Sequence, residues 1–165
     1  MTENEIARLI VDACYRIHAG VGPGVLESVY ETILARELRK LGLNVQRQVP
    51  IPIIWDGEEF EEGFRADLIV ENKVIIEIKS VEKLAPVHPK QLLTYLRLAD
   101  KRLGLLVNFG EALIKDGIKR IVNGLQEYSR KAAKSQRKAL PKMASPPLVR
   151  GRGSLTGRCV DWVDA

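Results

Sequence analysis

Asp67, Glu77 and Lys79 stand inside "FRADLIVENKVIIEIKS", Phe64 to Ser80, which is otherwise a strongly apolar stretch. Two short apolar runs flank the polar Glu71-Asn72-Lys73, so the stretch predicts two antiparallel strands joined by a three-residue turn. Side chains alternate faces along a strand. Ile75, Glu77 and Lys79 then share one face of the second strand, and Val74, Ile76 and Ile78 the other. In the first strand Arg65, Asp67 and Ile69 share a face, and Phe64, Ala66, Leu68 and Val70 the opposite one. If the turn pairs Val70 with Val74, Asp67 lies directly opposite Glu77; a slip of one residue parts the two carboxylates. Opposed residues hold their Cβ atoms about 4.5–5.5 Å apart. Carboxylates that close repel unless positive charge lies between them. Lys79 supplies one charge, and a divalent cation supplies more; hard oxygen ligands at this spacing suit Mg²⁺. The ordinary alternative is a solvated face with a surface ion pair. Ile69 and Ile75 on the same face argue for a partly covered cleft instead, where charges are costly and often functional.

Two helices must precede these strands. "ENEIARLIVDACYRIHAG" places Ile6, Leu9, Ile10, Ala13, Tyr15 and Ile17 at helical spacing, with Gly20 as its end. "GVGPGV" breaks the chain, and Gly22, Pro23 and Gly24 make a turn that aims the next helix. "VLESVYETILARELRKLG" resumes the period, with Gly42 as its C-terminal cap. "VQRQVPIPIIW" reads as a strand, and Pro50 and Pro52 assign it to an edge or a bulge. "DGEEFEEG" supplies a turn and the polar start of the following strand. After the charged hairpin, "PKQLLTYLRLADKRLG" predicts a helix ended by Gly104, and "LGLLVNFG" a buried strand. "KDGIKRIVNGL" suits either a final strand or a short helix. The order is helix, helix, three-strand meander, helix, strand. It predicts an α/β fold with a mixed central sheet flanked by helices.

Residues 127–165 hold nine Lys/Arg against three Asp/Glu, while residues 1–126 hold seventeen against eighteen. The net charge of +5 therefore belongs to the C-terminal segment and says nothing about a nucleic-acid surface on the core. The expected organisation is one domain over 1–125 and a basic, largely disordered tail over 126–165. No apolar run is long enough to span a membrane. The acidic start lacks the basic region of a secretory signal. Cys14 and Cys159 form neither a metal motif nor a disulfide framework. A cytoplasmic location is the simplest expectation.

Asp67, nine residues, then Glu77-Ile78-Lys79 resembles the PD-(D/E)XK core of the restriction-endonuclease-like superfamily, with Ala66 where the proline of that name stands. Glu27 lies on the helix before the sheet, where that superfamily often places another acidic residue. Gln91 and Tyr95 in "KQLLTYL" resemble the Q-x-x-x-Y element of its RecB-like branch. Over roughly residues 4 to 124 the chain closely resembles the GxxExxY family, whose name motif is here Gly24 to Tyr30.

The resemblance implies a restriction-endonuclease-like core and a metal-dependent nuclease acting on nucleic acid, DNA first. It implies that Asp67 and Glu77, with the Ile78 carbonyl, bind Mg²⁺ or Mn²⁺. Lys79 would orient the attacking water or stabilise the transition state. Glu27 would meet the metal through water or orient a ligand. Gln91 would bond the water, a phosphate or a ligating carboxylate. Tyr95 would contact the DNA backbone or brace that network, and His88 would touch substrate. Ordinary packing for Tyr95 and a loop role for His88 compete with those assignments. The cysteines of iron–sulfur RecB-like nucleases are missing, so no cluster is expected. The other function class is a silent nuclease-fold module that holds nucleic acid or a protein partner. Homo-oligomerisation through the first helix is compatible with either.

Overall fold

In the computed structural model, which describes residues 1–124, Thr2 opens α1 (Glu3–Val21) with a capping box. Its hydroxyl accepts from the Glu5 amide at 3.3 Å, and the Glu5 carboxylate accepts from the Thr2 amide at 2.8 Å. Two donors left over at the helix start are thereby satisfied. α1 runs past Gly20 and stops at Gly22, whose φ of +76° suits glycine and whose amide bonds the His18 carbonyl. Ile6, Ile10, Ala13, Cys14 and Ile17 are buried. Tyr15, expected inward, is 45% exposed, because Cys14 takes the core position beside it. Burial pushes the Cys14 thiol up to about 12, so it packs as a small hydrophobe.

α2 (Glu27–Lys40) ends as its sequence predicts. Gly42 takes φ +80°, its amide bonds the Arg39 carbonyl, and the Leu43 amide reaches back to Leu38. That is a Schellman motif, closed by burial of Leu38 and Leu43.

The sheet contains β1 (Val45–Trp55), β2 (Glu58–Val70), β3 (Val74–Lys79), β4 (Leu103–Asn108) and β5 (Ile118–Val122), in spatial order β1-β2-β3-β4-β5. β1 is an edge, which is where Pro50 and Pro52 can be tolerated, and its register to β2 shifts between Ile51 and Ile53. Asp56 and Gly57, both left-handed, make the tight β1–β2 turn. β2 and β3 are antiparallel with Val70 opposite Val74, as the three-residue turn requires. β3 and β4 form the sheet's parallel pair, and such a pair needs a crossover. α3 (Val87–Leu98) supplies it, with Pro89 in its first turn. β5 returns antiparallel to β4 after the short α4 (Ile114–Gly117). The ambiguous "KDGIKRIVNGL" thus holds a helical turn and then a strand.

α1 and α2 pack on one face of the sheet, against Leu68, Val70, Val74, Ile76, Ile78, Leu105 and Val107. α3 packs on the other, where Leu92, Tyr95 and Leu96 meet Ile51, Ile69, Ile75 and Leu106. α1, considered above as a surface for self-association, contributes its apolar face to this core. Gly104 does not end α3; it lies in β4 directly beneath Leu92, where an added Cβ would come within 3.0 Å of that side chain. The helix stops six residues earlier, where Ala99 is followed by the left-handed Asp100 and Lys101 bonds back to Leu96.

The alternation predicted for β3 holds, but that of β2 slips. Ala66 and Phe64 join the α3 face with Ile69, while Leu68 and Val70 face α1 and α2. The break falls at Asp67. Across from it, between the pairs Arg47–Leu68 and Val49–Ala66, stands Gln48 with φ +51°. A left-handed residue in a strand rotates the pleat, so the two neighbouring strands lose regularity together. No helix among the described residues is long and apolar enough to cross a membrane. The expected tail, 126–165, lies outside the described residues.

Candidate active site

β3 brings Glu77 and Lys79 to the end of a strand whose first five residues are buried. Lys79 Nζ donates to Glu77 Oε1 at 2.8 Å, and the two side chains are only 19% and 7% exposed. This is not a surface ion pair. Glu77 Oε2 is buried and has no hydrogen-bond partner among the described residues. A buried carboxylate oxygen left unpaired is costly, and such exceptions concentrate where a ligand completes the set.

Asp67 reaches the same place by a different route from the one its sequence suggested. The β2–β3 ladder ends at Leu68–Ile76, so Asp67 and Glu77 are not a closed cross-strand pair. Instead Asp67 Oδ2 accepts from the Ile78 amide at 2.8 Å, taking the role a backbone carbonyl has further up the ladder. The amide and carbonyl of one strand residue point to the same side. The Ile78 carbonyl therefore also points into the notch between β2 and β3.

At this proximity the three groups shift one another's ionisation. Burial first, then the negative charge of Asp67, lifts the Glu77 carboxyl to about 7. Burial also raises Asp67, against the opposing effects of the Ile78 amide and of Lys79. For Lys79, burial works against the ammonium, but the bonded Glu77 outweighs it and the net shift is upward. Lys79 is thus a fixed cation at neutral pH, suited to stabilise negative charge and unsuited to accept a proton.

An open groove of about 610 Å³ leads to Asp67, bordered by Glu27, Glu31, Gln48 and Ser80. Glu27, the first residue of α2, is exposed at its mouth, and its Oε1 accepts from the Ser80 amide at 2.9 Å. Glu31, one turn further on, is buried; its oxygens accept from Arg47 Nε at 2.8 Å and Gln48 Nε2 at 2.7 Å. Gln48 Nε2 also lies 3.5 Å from Asp67 Oδ1. Glu31 and Gln48 were not singled out from the sequence. A signal existed for Glu31, since Glu27 and Glu31 stand at i and i+4 on one helical face. For Gln48 nothing in the residue type announces a left-handed backbone.

The remaining candidates lie at different distances from this centre. Tyr95 is buried on α3, its ring tilted against Phe64 at 4.8 Å. Burial and then the charge of Glu77 raise its hydroxyl, so it lies within electrostatic reach of the carboxylate site. Gln91 is half-buried one turn earlier on α3, and no hydrogen bond joins it to the carboxylates among the described residues. His88 Nδ1 accepts from the Ala85 amide at 3.3 Å, which ties down the entry to α3 as an ordinary loop residue would.

Among the described residues, no three His, Cys, Asp or Glu side chains converge tightly enough to hold a metal by themselves. The donors available are the unpaired oxygen of Glu77, the carboxylate of Asp67 and the Ile78 carbonyl. That set fits Mg²⁺, which keeps several waters and takes one or two carboxylates. It does not fit a softer metal that needs His or Cys.

A family model described as the PD-(D/E)XK nuclease superfamily matches residues 4–121. No curated protein matches the chain. One similar solved structure, described as the crystal structure of SSO0001, is 21% identical with a TM-score of 0.48, covering 81% of this chain and 74% of that one. The family match spans α1 through nearly all of β5, and on that match this chain belongs to the PD-(D/E)XK nuclease superfamily.

Proposed function

We propose that the protein is a divalent-metal-dependent nuclease that hydrolyses phosphodiester bonds in DNA, and that it is of the GxxExxY type. The observation that carries this is the unpaired, buried Oε2 of Glu77 beside Asp67, with Lys79 bonded to the other oxygen. Asp67, Glu77 and the Ile78 carbonyl would hold Mg²⁺ or Mn²⁺. When bound, the cation would activate water and offset charge on the scissile phosphate. Lys79, already cationic, directs a hydrogen-bond donor at charge that develops on the phosphate. Asp67 is aimed by the Ile78 amide, and Gln48 steadies its second oxygen. Tyr95 limits water on the α3 side of Glu77. Gln91, one turn before Tyr95, would meet substrate once a phosphate enters.

A panel of linear, circular, single-stranded and RNA substrates with Mg²⁺, Mn²⁺ or a chelator tests this. Cleavage that needs metal and is lost in Glu77→Ala and in Lys79→Ala supports it. Cleavage that survives both substitutions refutes the assignment of this site. One observation favours a second reading, a binding module without cleavage: the groove is bordered by Glu27, Glu31 and Asp67 and, among the described residues, by no Lys or Arg. Calorimetry separates the two, because the module would bind a partner with no divalent binding at millimolar concentration.

A further inference from the structure

Ser80 and Val81 leave β3 directly behind Lys79, and both are held from two directions. From the α2 side, Glu27 Oε1 accepts from the Ser80 amide at 2.9 Å, and Ser80 Oγ donates to the Val25 carbonyl at 2.7 Å. Tyr30 keeps that side in place: its hydroxyl donates to the Gly22 carbonyl and accepts from the Val25 amide at 3.3 Å. From the β4 side comes Asn108, which is fully buried. Its Oδ1 accepts from the Val81 amide at 3.0 Å and the Gly110 amide at 3.1 Å, and its Nδ2 donates to the Val81 carbonyl at 2.8 Å. The next residue, Phe109, donates its amide to the Lys79 carbonyl at 2.8 Å and stacks on Tyr30 at 4.2 Å, nearly parallel. Gly110 passes so close to Val81 that a Cβ would run into its backbone. The two sides therefore meet, and the short segment behind Lys79 has no slack.

A buried amide side chain that gives two hydrogen bonds to Val81 and a third to its own turn at Gly110 is well suited to tie the two segments together. Lysine itself is poorly suited to hold a direction, since its stem is flexible. The backbone beneath it must supply what the side chain lacks.

We propose that Asn108 is a positioning residue of the site, closing with Glu27 and Tyr30 a clamp on Ser80–Val81 that sets the direction of Lys79. In this assignment Glu27 acts through the Ser80 amide and not through a metal. The consequence for cleavage rests on the nuclease reading above; the clamp itself does not.

The test uses the full chain and two readouts that need no activity: the rate at which acetic anhydride modifies Lys79, followed by mass spectrometry, and amide hydrogen exchange. Asn108→Ala is expected to speed Lys79 modification about fivefold or more and to lower protection at Val81 and Gly110 about tenfold, with α1 amides unchanged. Where cleavage is measurable, kcat falls about tenfold with KM held, since geometry and not binding is lost. Wild-type rates of Lys79 modification in Asn108→Ala overturn the proposal. So does an equal loss of protection throughout α1 and α2, which would make Asn108 an ordinary core residue. Should Asn108→Ala not fold, Glu27 decides. Glu27→Gln keeps an acceptor for the Ser80 amide and leaves Lys79 modification slow, whereas Glu27→Ala speeds it; any other pattern overturns the clamp. If the wild-type chain cuts no nucleic acid, the nuclease reading falls alone, and modification and exchange still decide the clamp.

Discussion

Glu77→Gln should make this protein more stable, by an amount that depends on pH. An ordinary glutamate ionises near 4.5, and the folded environment lifts Glu77 to about 7. Between those values the folded state holds a proton that the unfolded state has released. Stability from this group is therefore fully present below 4.5, declines as pH rises toward 7, and is lost above it. At about 1.4 kcal/mol per pH unit, the lift costs the folded protein about 3 kcal/mol at pH 8. Glutamine keeps the shape of the neutral acid and never ionises. Urea denaturation of both chains at pH 4.5 and pH 8 measures the difference. The expected result is near equality at pH 4.5 and a gain of about 3 kcal/mol for Glu77→Gln at pH 8. A gain of the same size at both pH values would show that packing, not ionisation, is responsible. No gain at pH 8 would show that Glu77 is not under electrostatic strain, and would remove the main physical reason to place a cation beside it.

Mg²⁺ should bind with an affinity that rises about tenfold per pH unit below 7 and levels off above it, because a proton must leave Glu77 first; titration calorimetry at pH 6, 7 and 8 measures this. Gly110→Ala should destabilise the fold by about 2 kcal/mol or more, since its Cβ would meet the Val81 backbone, and a thermal melt that matches wild type would contradict that contact. Glu31→Ala should cost about 2 kcal/mol, because Arg47 and Gln48 lose charged hydrogen-bond acceptors, and chemical denaturation reads it directly.

The elements carried by local chemistry were legible in the sequence. Gly42 closes α2 because only a residue free to take φ +80° completes that motif. Pro50 and Pro52 mark the sheet edge because they cannot donate to a ladder. The Glu71–Lys73 turn set the register that brings Asp67 to the level of Glu77. What stayed hidden depends on contacts between distant residues. The slip of alternation at Asp67 is coupled to Gln48, whose residue type carries no signal of a left-handed backbone. Gly104 looked like a helix end, but its function is to let Leu92 settle on β4. The bonds of Asn108 to Val81 join residues far apart in the chain, so neither segment announces them. Gln91 and Tyr95 share a helical face as their spacing says, yet Tyr95 is buried under the influence of Glu77, while Gln91 is half-buried and makes no hydrogen bond to the carboxylates among the described residues.

The parallel pairing of β3 with β4 also sets the order in which the site can assemble. β2 and β3 need close only a turn of three residues, so Asp67 can find the Ile78 amide early, on the microsecond scale of hairpin formation. Pairing Val74 with Leu103 must wait until α3 has folded across the sheet and the entropy of that longer loop has been met. During synthesis, the carboxylates can therefore come together while the segment behind Lys79 is held from the α2 side alone. If Asn108 sets the direction of Lys79 as proposed, that direction is fixed only when β4 docks, so the site is completed by the final strands and not by the hairpin that carries the acidic residues.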